Sequence, residues 1–352
     1  MRIFEFIIMD SLTQIVLGAA CGEAVLGRKI GNKALLFGAI GGTIPDLDVF
    51  IGPWLYSNEI QAMAFHRGFM HSVIFSILGA FAFGWLTFRL YNRGKRLGSS
   101  TLKDWRVLFF LSLFTHPLLD CFTPYGTQLF YPFSNYRIAF NNISVADPLY
   151  TLPFLICLIV LMFYKRKNSK RQLWLKLGIG ISSIYMLFTL GNKFYTNSIF
   201  ENSLQEQNIT FNRFRTQPTL LNNLLWYGVA ETDTDYYLGF YSLLDKTNRI
   251  KEWKIVSKEN GLLSMNDKDL TTLTWFSDDY YKVRQSDIEG EYKYSDLRYP
   301  LLNPNDVESS LFSFRIFNKD GRWDMKNSRP DFDDNANFKS IFAPMIERLK
   351  GK

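Results

Sequence analysis

The chain has three histidines, His66, His71 and His116, each at or within an otherwise apolar stretch, His66 next to Arg67 and His116 next to Pro117. His116 and Asp120 are spaced i, i+4, so a helix projects both from one face about one turn apart, a placement that suits one metal ion or two adjacent ones. Pro117 between them cannot donate to the helical ladder and frees the carbonyl of Leu113, which predicts a kink at that turn. His66 and His71 flank Gly68 and can fold towards one centre, while Arg67 offers a planar cationic fork suited to phosphate. Asp46-Leu47-Asp48 presents alternate carboxylates, Asp10 stands i, i+4 from Gln14, and Asp147 precedes Pro148. Imidazole and carboxylate donors together suit zinc and related divalent ions.

Each feature also has a plain structural reading. A His-x-x-x-Asp pair can satisfy itself inside a bundle, Pro-Asp-x-Asp is a turn and cap sequence, Asp10 is a possible helix N-cap, and Arg67 can snorkel to lipid headgroups. Ionisable groups inside apolar segments are costly and by default functional, which favours chemistry for the set as a whole.

The elements that must hold these residues are helices. Apolar segments at Ser11–Leu26, Lys33–Ile44, Met70–Leu90, Arg106–Phe122, Pro148–Tyr164 and Trp174–Asn192 predict a membrane bundle of about six, with four or five plus re-entrant segments as the alternative. The first two are short and rich in glycine and alanine, which suits close packing inside the bundle. Residues 1–192 hold 18 Lys+Arg against 9 Asp+Glu, so the net charge of +7 belongs to this half. Fifteen of those cations fall in three short stretches, at 28–33, 89–106 and 165–176, which read as cytoplasmic loops. The segments Asp46–Phe65 and Thr123–Ala146 contain only Arg137 as a cation, so they and residues 193–352 are expected outside the cytoplasm. Asp10, Asp46, Asp48, His66, Arg67, His71, His116, Asp120 and Asp147 then all fall at the extracytoplasmic ends of their helices, although the topology was drawn from Lys and Arg alone. Glu23 lies near the opposite end and reads as a packing residue.

Composition excludes a wholly soluble enzyme, because a mean hydropathy of −0.06 averages an apolar half with a polar one. Nucleic acid is not an expected partner, since the basic clusters flank apolar spans; membrane lipids are. Cys21, Cys121 and Cys157 lie in apolar segments, are odd in number and give no disulfide framework. Met1–Ile8 lacks a cleavage site and a basic leader region, and Met9 is a candidate start.

Five pieces in order, Met9-Asp-Ser-Leu-Thr-Gln14, Gly42-Thr-Ile-Pro-Asp-Leu-Asp48, His66-Arg-Gly-Phe-Met-His-Ser72, His116-Pro-Leu-Leu-Asp120 and Asp147-Pro148, resemble the bacterial inner-membrane-bound metal-dependent hydrolases. Weaker similarity continues through Asn223-Leu-Leu-Trp226, Tyr241-Ser-Leu-Leu-Asp245 and Trp275-Phe-Ser277. That family looks distantly similar to the zinc-dependent phospholipase C and single-strand nuclease superfamily, which implies phosphoester hydrolysis. The expected ligands of a divalent metal, zinc first, are Asp10, Asp46, His66, His71, His116, Asp120 and Asp147, with Asp48 as supporting carboxylate or general base and Arg67 as phosphate contact. Many relatives carry His at the position of Gln14; an amide oxygen is a weaker zinc ligand, and Gln14 stays outside the set.

Residues 9–192 are thus expected to form the helical metal-site domain and residues 193–352 a soluble, mainly antiparallel β cap with a C-terminal helix. Runs at Leu224–Ala230, Tyr236–Leu243, Ile250–Val256, Leu270–Phe276, Tyr280–Val283 and Leu311–Phe317 predict one sheet of about five to seven strands, and Asn335–Leu349 predicts the helix. The expected function is hydrolysis of phosphoesters on lipids or envelope molecules at the outer face of the cytoplasmic membrane. The competing readings are a non-catalytic ion or proton path, which requires polar residues through the inner halves of the helices, and an anchored binding module, which requires nothing of the helical cluster.

Overall fold

The structure, a computed structural model, describes residues 3–258, 267–327 and 338–351. These divide into two compact units, Met1–Ile51 with Phe65–Leu190 and Gly52–Ala64 with Gly191–Lys352.

Eight helices open the chain: α1 (Ile3–Ile30), α2 (Asn32–Thr43), α3 (Asp48–Leu55), α4 (Glu59–Phe65), α5 (Val73–Tyr91), α6 (Leu102–Asp120), α7 (Pro148–Met162) and α8 (Ser169–Glu206). Short 3-10 turns at Pro45–Leu47 and Phe69–His71 precede α3 and α5. In the first unit α1 and α2 pack backbone to backbone through glycine. A Cβ on Gly18 would stand 2.4 Å from the carbonyl oxygen of Gly38, and one on Gly42 would stand 2.5 Å from that of Gln14. Larger residues cannot occupy such a seam. Beside it α6 begins with a capping box from Thr101 and Asp104 and buries Trp105, Leu108, Phe109 and Leu113 against Leu26, Ala34, Ala80 and Tyr91. The Leu113 carbonyl freed by Pro117 accepts a hydrogen bond from the Ser76 hydroxyl of α5 at 3.2 Å. Glu23 is fully buried and takes a two-pronged ion pair from Arg171 of α8, with both N···O distances 2.6 Å.

By length and composition α5 and α8 can cross a membrane, and α2 with Pro45–Leu55 makes a third span if the pair, bent by 44°, counts as one. The expected six spans are therefore corrected to two or three helices that qualify among the described residues. The reasons are physical: α2 has 12 residues and α7 has 15, while α6 carries Lys103, Asp104 and Arg106 at one end and His116 and Asp120 at the other. Two boundaries also move. α1 begins at Ile3, so Asp10 lies within it and is not its N-cap; α8 runs on past Asn192 to Glu206.

The second unit holds two four-stranded antiparallel sheets, β1 (Arg213–Pro218), β2 (Leu225–Glu231), β3 (Asp235–Ser242) and β4 (Lys254–Ser257), then β5 (Tyr281–Gln285), β6 (Glu291–Asp296), β7 (Ser313–Lys319) and β8 (Arg322–Asn327), each in sequential order. The single sheet expected from the sequence is thus two. In the first sheet Tyr227 opposes Phe240, their rings 5.2 Å apart, in a core with Leu225, Tyr236, Leu238 and Leu297. Leu270–Phe276, expected as a strand, is instead α9 (Lys268–Phe276): Asp267 caps its first turn, and Leu270, Leu273 and Phe276 are buried at helical spacing. The chain ends in α10 (Phe338–Leu349); residues 335–337 of the expected helix lie outside the described residues.

Candidate metal centre

Three elements of the first unit bring their polar side chains to one point. α6 supplies His116 and Asp120, the turn before α5 supplies His71, and the turn before α3 supplies Asp46. The Nε2 atoms of His71 and His116 face each other at 3.1 Å. Oδ1 of Asp46 lies 3.5 Å from the first and 3.3 Å from the second. Oδ2 of Asp120 lies 3.5 Å and 3.6 Å from the same two nitrogens, with no hydrogen-bond partner although Asp120 is fully buried. Among the described residues Asp46, His71 and His116 offer ligand atoms that all lie within 4.8 Å of one another and so form one three-cornered face, with Asp120 outside that group. A tetrahedral zinc site with bonds of about 2.0–2.1 Å has edges of about 3.3–3.4 Å. Two imidazole nitrogens facing a carboxylate oxygen, with a second buried carboxylate oxygen that accepts no hydrogen bond, are a set that a cation among them fits. Asp46, His71 and His116 therefore fit as one face of a site for the divalent ion that the resemblance implies, with Asp120 beside the two imidazoles.

Groups behind these side chains fix their aim. Nδ1 of His116 is 2.6 Å from the carbonyl of Gly42 at the end of α2, so that nitrogen carries the proton and Nε2 is left as the ligand atom. Asp48 serves two histidines: Oδ1 is 2.7 Å from Nδ1 of His66, and Oδ2 is 3.1 Å from Nδ1 of His71. Asp48 Oδ2 also accepts the backbone N–H of Arg67 at 3.0 Å. To present that N–H Arg67 adopts φ 60°, a left-handed conformation that costs a non-glycine residue about 1–2 kcal/mol. Gln14 donates from Nε2 to Oδ1 of Asp120 at 2.8 Å and to the carbonyl of His116 at 3.2 Å. Its amide thus steadies a carboxylate.

A cationic rim lies next to these side chains. Nε of the buried Arg67 is 3.5 Å from Oδ2 of Asp120, and its Nη1 donates to Thr123 at 3.1 Å. The guanidinium carbons of Arg67 and Arg137 lie 4.8 Å and 4.9 Å from the ring centre of Tyr125, and the ring of His66 lies 5.4 Å from it. Arg137 donates to the carbonyl of His66 at 2.9 Å. Two guanidiniums and an imidazole around one ring form a surface that favours an anion.

Of the residues singled out from sequence, the structure brings together Asp46, His71, His116 and Asp120, puts Asp48 behind His71, and puts His66 and Arg67 at the rim. Asp147 is placed otherwise: Oδ1 caps α7 through the N–H groups of Leu149 and Tyr150, and Oδ2 accepts from Tyr185 at 2.9 Å. Asp10 lies in α1, and its side chain is outside the described residues. Sequence reasoning passed over Arg137, Tyr125 and the Gly42 carbonyl. For Arg137 a signal existed, since it is the one cation in the two segments placed outside the cytoplasm.

No solved structure matches the chain. A curated relative from Bacillus subtilis (strain 168), described as "Uncharacterized protein YfhP", is 28% identical over 147 residues, which cover 40% of this chain and 42% of that protein. The chain thus spans less than half the length of that relative. The YdjM inner membrane protein family matches residues 9–194 and so takes in all five sequence pieces and every residue of the centre. These comparisons carry a membrane family and no hydrolase assignment. On that match, and with helices able to cross a bilayer, the chain belongs to the YdjM inner membrane protein family.

Proposed function

We propose that the protein is a membrane-embedded, metal-dependent hydrolase of phosphoesters, working at the outer face of the cytoplasmic membrane. The observation that carries this reading is the convergence of Asp46, His71 and His116, with Asp120 against the two imidazoles, beside the Arg67–Arg137 rim. Asp46, His71 and His116 would hold a divalent ion, for which their donor set suits zinc, and it would supply Lewis acidity toward a phosphoryl oxygen and lower the pKa of bound water. The chain's own residues do the rest. Gly42 and Asp48 hold the two imidazoles in the orientation that ligation needs, and Gln14 holds Asp120. Arg67 and Arg137 bind and orient the phosphate. His66, its Nδ1 on Asp48 and its ring at the rim, is placed to carry a proton to or from the reacting oxygen; Asp48, occupied by two imidazoles and an N–H, acts through them. The three lysine and arginine clusters support a multi-pass topology with the centre and residues 193–352 on the extracytoplasmic side, the latter as a soluble domain.

The inner half of the bundle supports this reading over an ion path. Glu23, a buried acid near the inward end of α1, is closed off by Arg171, which also donates to Asn32 and to the carbonyls of Leu161 and Tyr164. The test is release of inorganic phosphate from phosphomonoesters, and of the alcohol or phosphate monoester from phosphodiesters, across a panel of lipid and soluble substrates by the purified full-length protein, with and without chelator. Release that is chelator-sensitive, restored by zinc and lost in His116→Ala is the expected result; release that chelator leaves intact, or none from zinc-loaded protein, overturns the proposal.

A further inference from the structure

The segment joining α6 to α7 is stitched to the start of a membrane span. The N–H of Val73, the first residue of α5, donates to the carbonyl of Leu129 at 3.0 Å, and the N–H of Gln128 donates to the carbonyl of Arg67 at 3.0 Å. Thr127 pairs with Ile138, so the stretch between them doubles back as one projecting loop. Leu129 is thereby held level with the end of α5, at the depth where a span meets the headgroups.

Immediately beyond Leu129 the loop turns its aromatic side chains outward. Phe130, Tyr131, Phe133, Tyr136 and Phe140 are exposed, Phe133 by 86% and Tyr136 by 72%. The patch is continuous with the apolar outer surface of the span: Phe75 of α5 packs on Phe69 at 5.6 Å, and Phe69 packs on Tyr131 at 6.2 Å. Below them α5 exposes Ile77, Leu78 and Phe81. An apolar surface that runs without a break from a span into a loop rich in Phe and Tyr matches the aromatic belt at a membrane–water interface. The same loop carries Arg137, next to Tyr136 in sequence, into the rim of the metal centre. The rim therefore lies at the depth of the belt.

We infer that residues 129–140 are seated in the interfacial layer of the bilayer and that the ester taken by the centre is a lipid phosphate in the membrane plane, not a water-soluble one. The first half stands on the loop alone; the second rests on the hydrolase reading above.

Two measurements separate them. Spin labels on Phe133→Cys and Tyr136→Cys, in full-length protein reconstituted into phosphatidylcholine vesicles, report depth by collision with oxygen and with a water-soluble nickel chelate. Labels at both sites are expected to be reached by oxygen and shielded from nickel, in contrast to a label on Asn303→Cys; free access of nickel overturns the seating. Activity of the double variant Phe133→Ser, Tyr136→Ser is then read on a long-chain phosphatidate in vesicles and on a short-chain soluble phosphate ester. A rise in KM of tenfold or more for the long-chain substrate, with kcat/KM for the soluble ester unchanged, is expected. Equal loss on both substrates, or no change on either, overturns the substrate class. Hydrolysis of neither substrate by the wild type refutes the hydrolase reading and the substrate class with it, while the depth measurement still decides where the loop sits.

Discussion

Gly38→Ala is expected to loosen the metal centre from a distance. Gly38 sits where α2 crosses α1, and an added Cβ would stand 2.2 Å from the carbonyl oxygen of Gly18 and 2.8 Å from the Cα and N of Gly22. All three are backbone atoms, so no side chain can rotate away. The first contact is about 0.8 Å short of the closest approach real side chains make, and the helices must part by a comparable amount. Such overpacking costs about 1–3 kcal/mol of stability. One turn further along α2 the carbonyl of Gly42 holds Nδ1 of His116 at 2.6 Å, and a shift of that size stretches the bond past useful length. Losing the partner behind a ligating histidine lowers metal affinity by about 10–100-fold. Zinc affinity by chelator competition and thermal unfolding in detergent measure the two effects. Gly180→Ala in α8, where a Cβ meets nothing within 4 Å, is the matched control and should leave both unchanged or slightly raise stability. Zinc affinity of Gly38→Ala within twofold of wild type would refute the coupling between the glycine seam and His116.

Other expectations follow from single contacts. Glu23→Leu alone should destabilise by about 3–5 kcal/mol because it strands the Arg171 charge, and adding Arg171→Met should recover most of the loss; equal melting temperatures for the single and double variants would contradict a buried pair. Asp147→Ala should cost about 1 kcal/mol as a lost cap and leave zinc content unchanged, and loss of zinc would return Asp147 to the ligands expected from sequence. Cysteines placed at 97–101 should be shielded from an impermeant thiol reagent in intact cells, while those at 58–62 and at Asn303 should be labelled; the reverse pattern would move the centre to the cytoplasmic side.

What sequence made legible was whatever one local geometry controls. The i, i+4 spacing of His116 and Asp120 fixes their common face on any helix, and Pro117 fixes the loss of one bond at Leu113. Asp46 and Asp48 show the limit. Their alternation is visible, but only the 3-10 turn decides that Asp46 faces the two Nε2 atoms while Asp48 reaches the Nδ1 atoms behind them. Glu23 reads as a packing residue, yet its partner lies 148 residues away, and tertiary pairing of that kind leaves no local trace. In the second unit Leu270–Phe276 has the residue types of a strand and the spacing of a helix; the capping Asp267 is the signal that decides, and the aromatic content outweighed it. Strands β1, β6 and β8 carry Arg213, Arg215, Glu291, Lys293 and Arg322, and such charges hide a strand from hydrophobic patterning.

The central claim is that His71 and His116, with the Asp46 carboxylate, hold a divalent ion. Elemental analysis of the full-length protein, purified without chelator, tests it most directly when wild type is set beside His71→Ala, His116→Ala and the double variant. The account predicts about one equivalent of zinc or another divalent metal per folded wild-type chain and a near-complete loss in the double variant, with helical content retained in all four. Absence of stoichiometric metal in wild type after zinc loading, or equal metal content in wild type and the double variant, would contradict it.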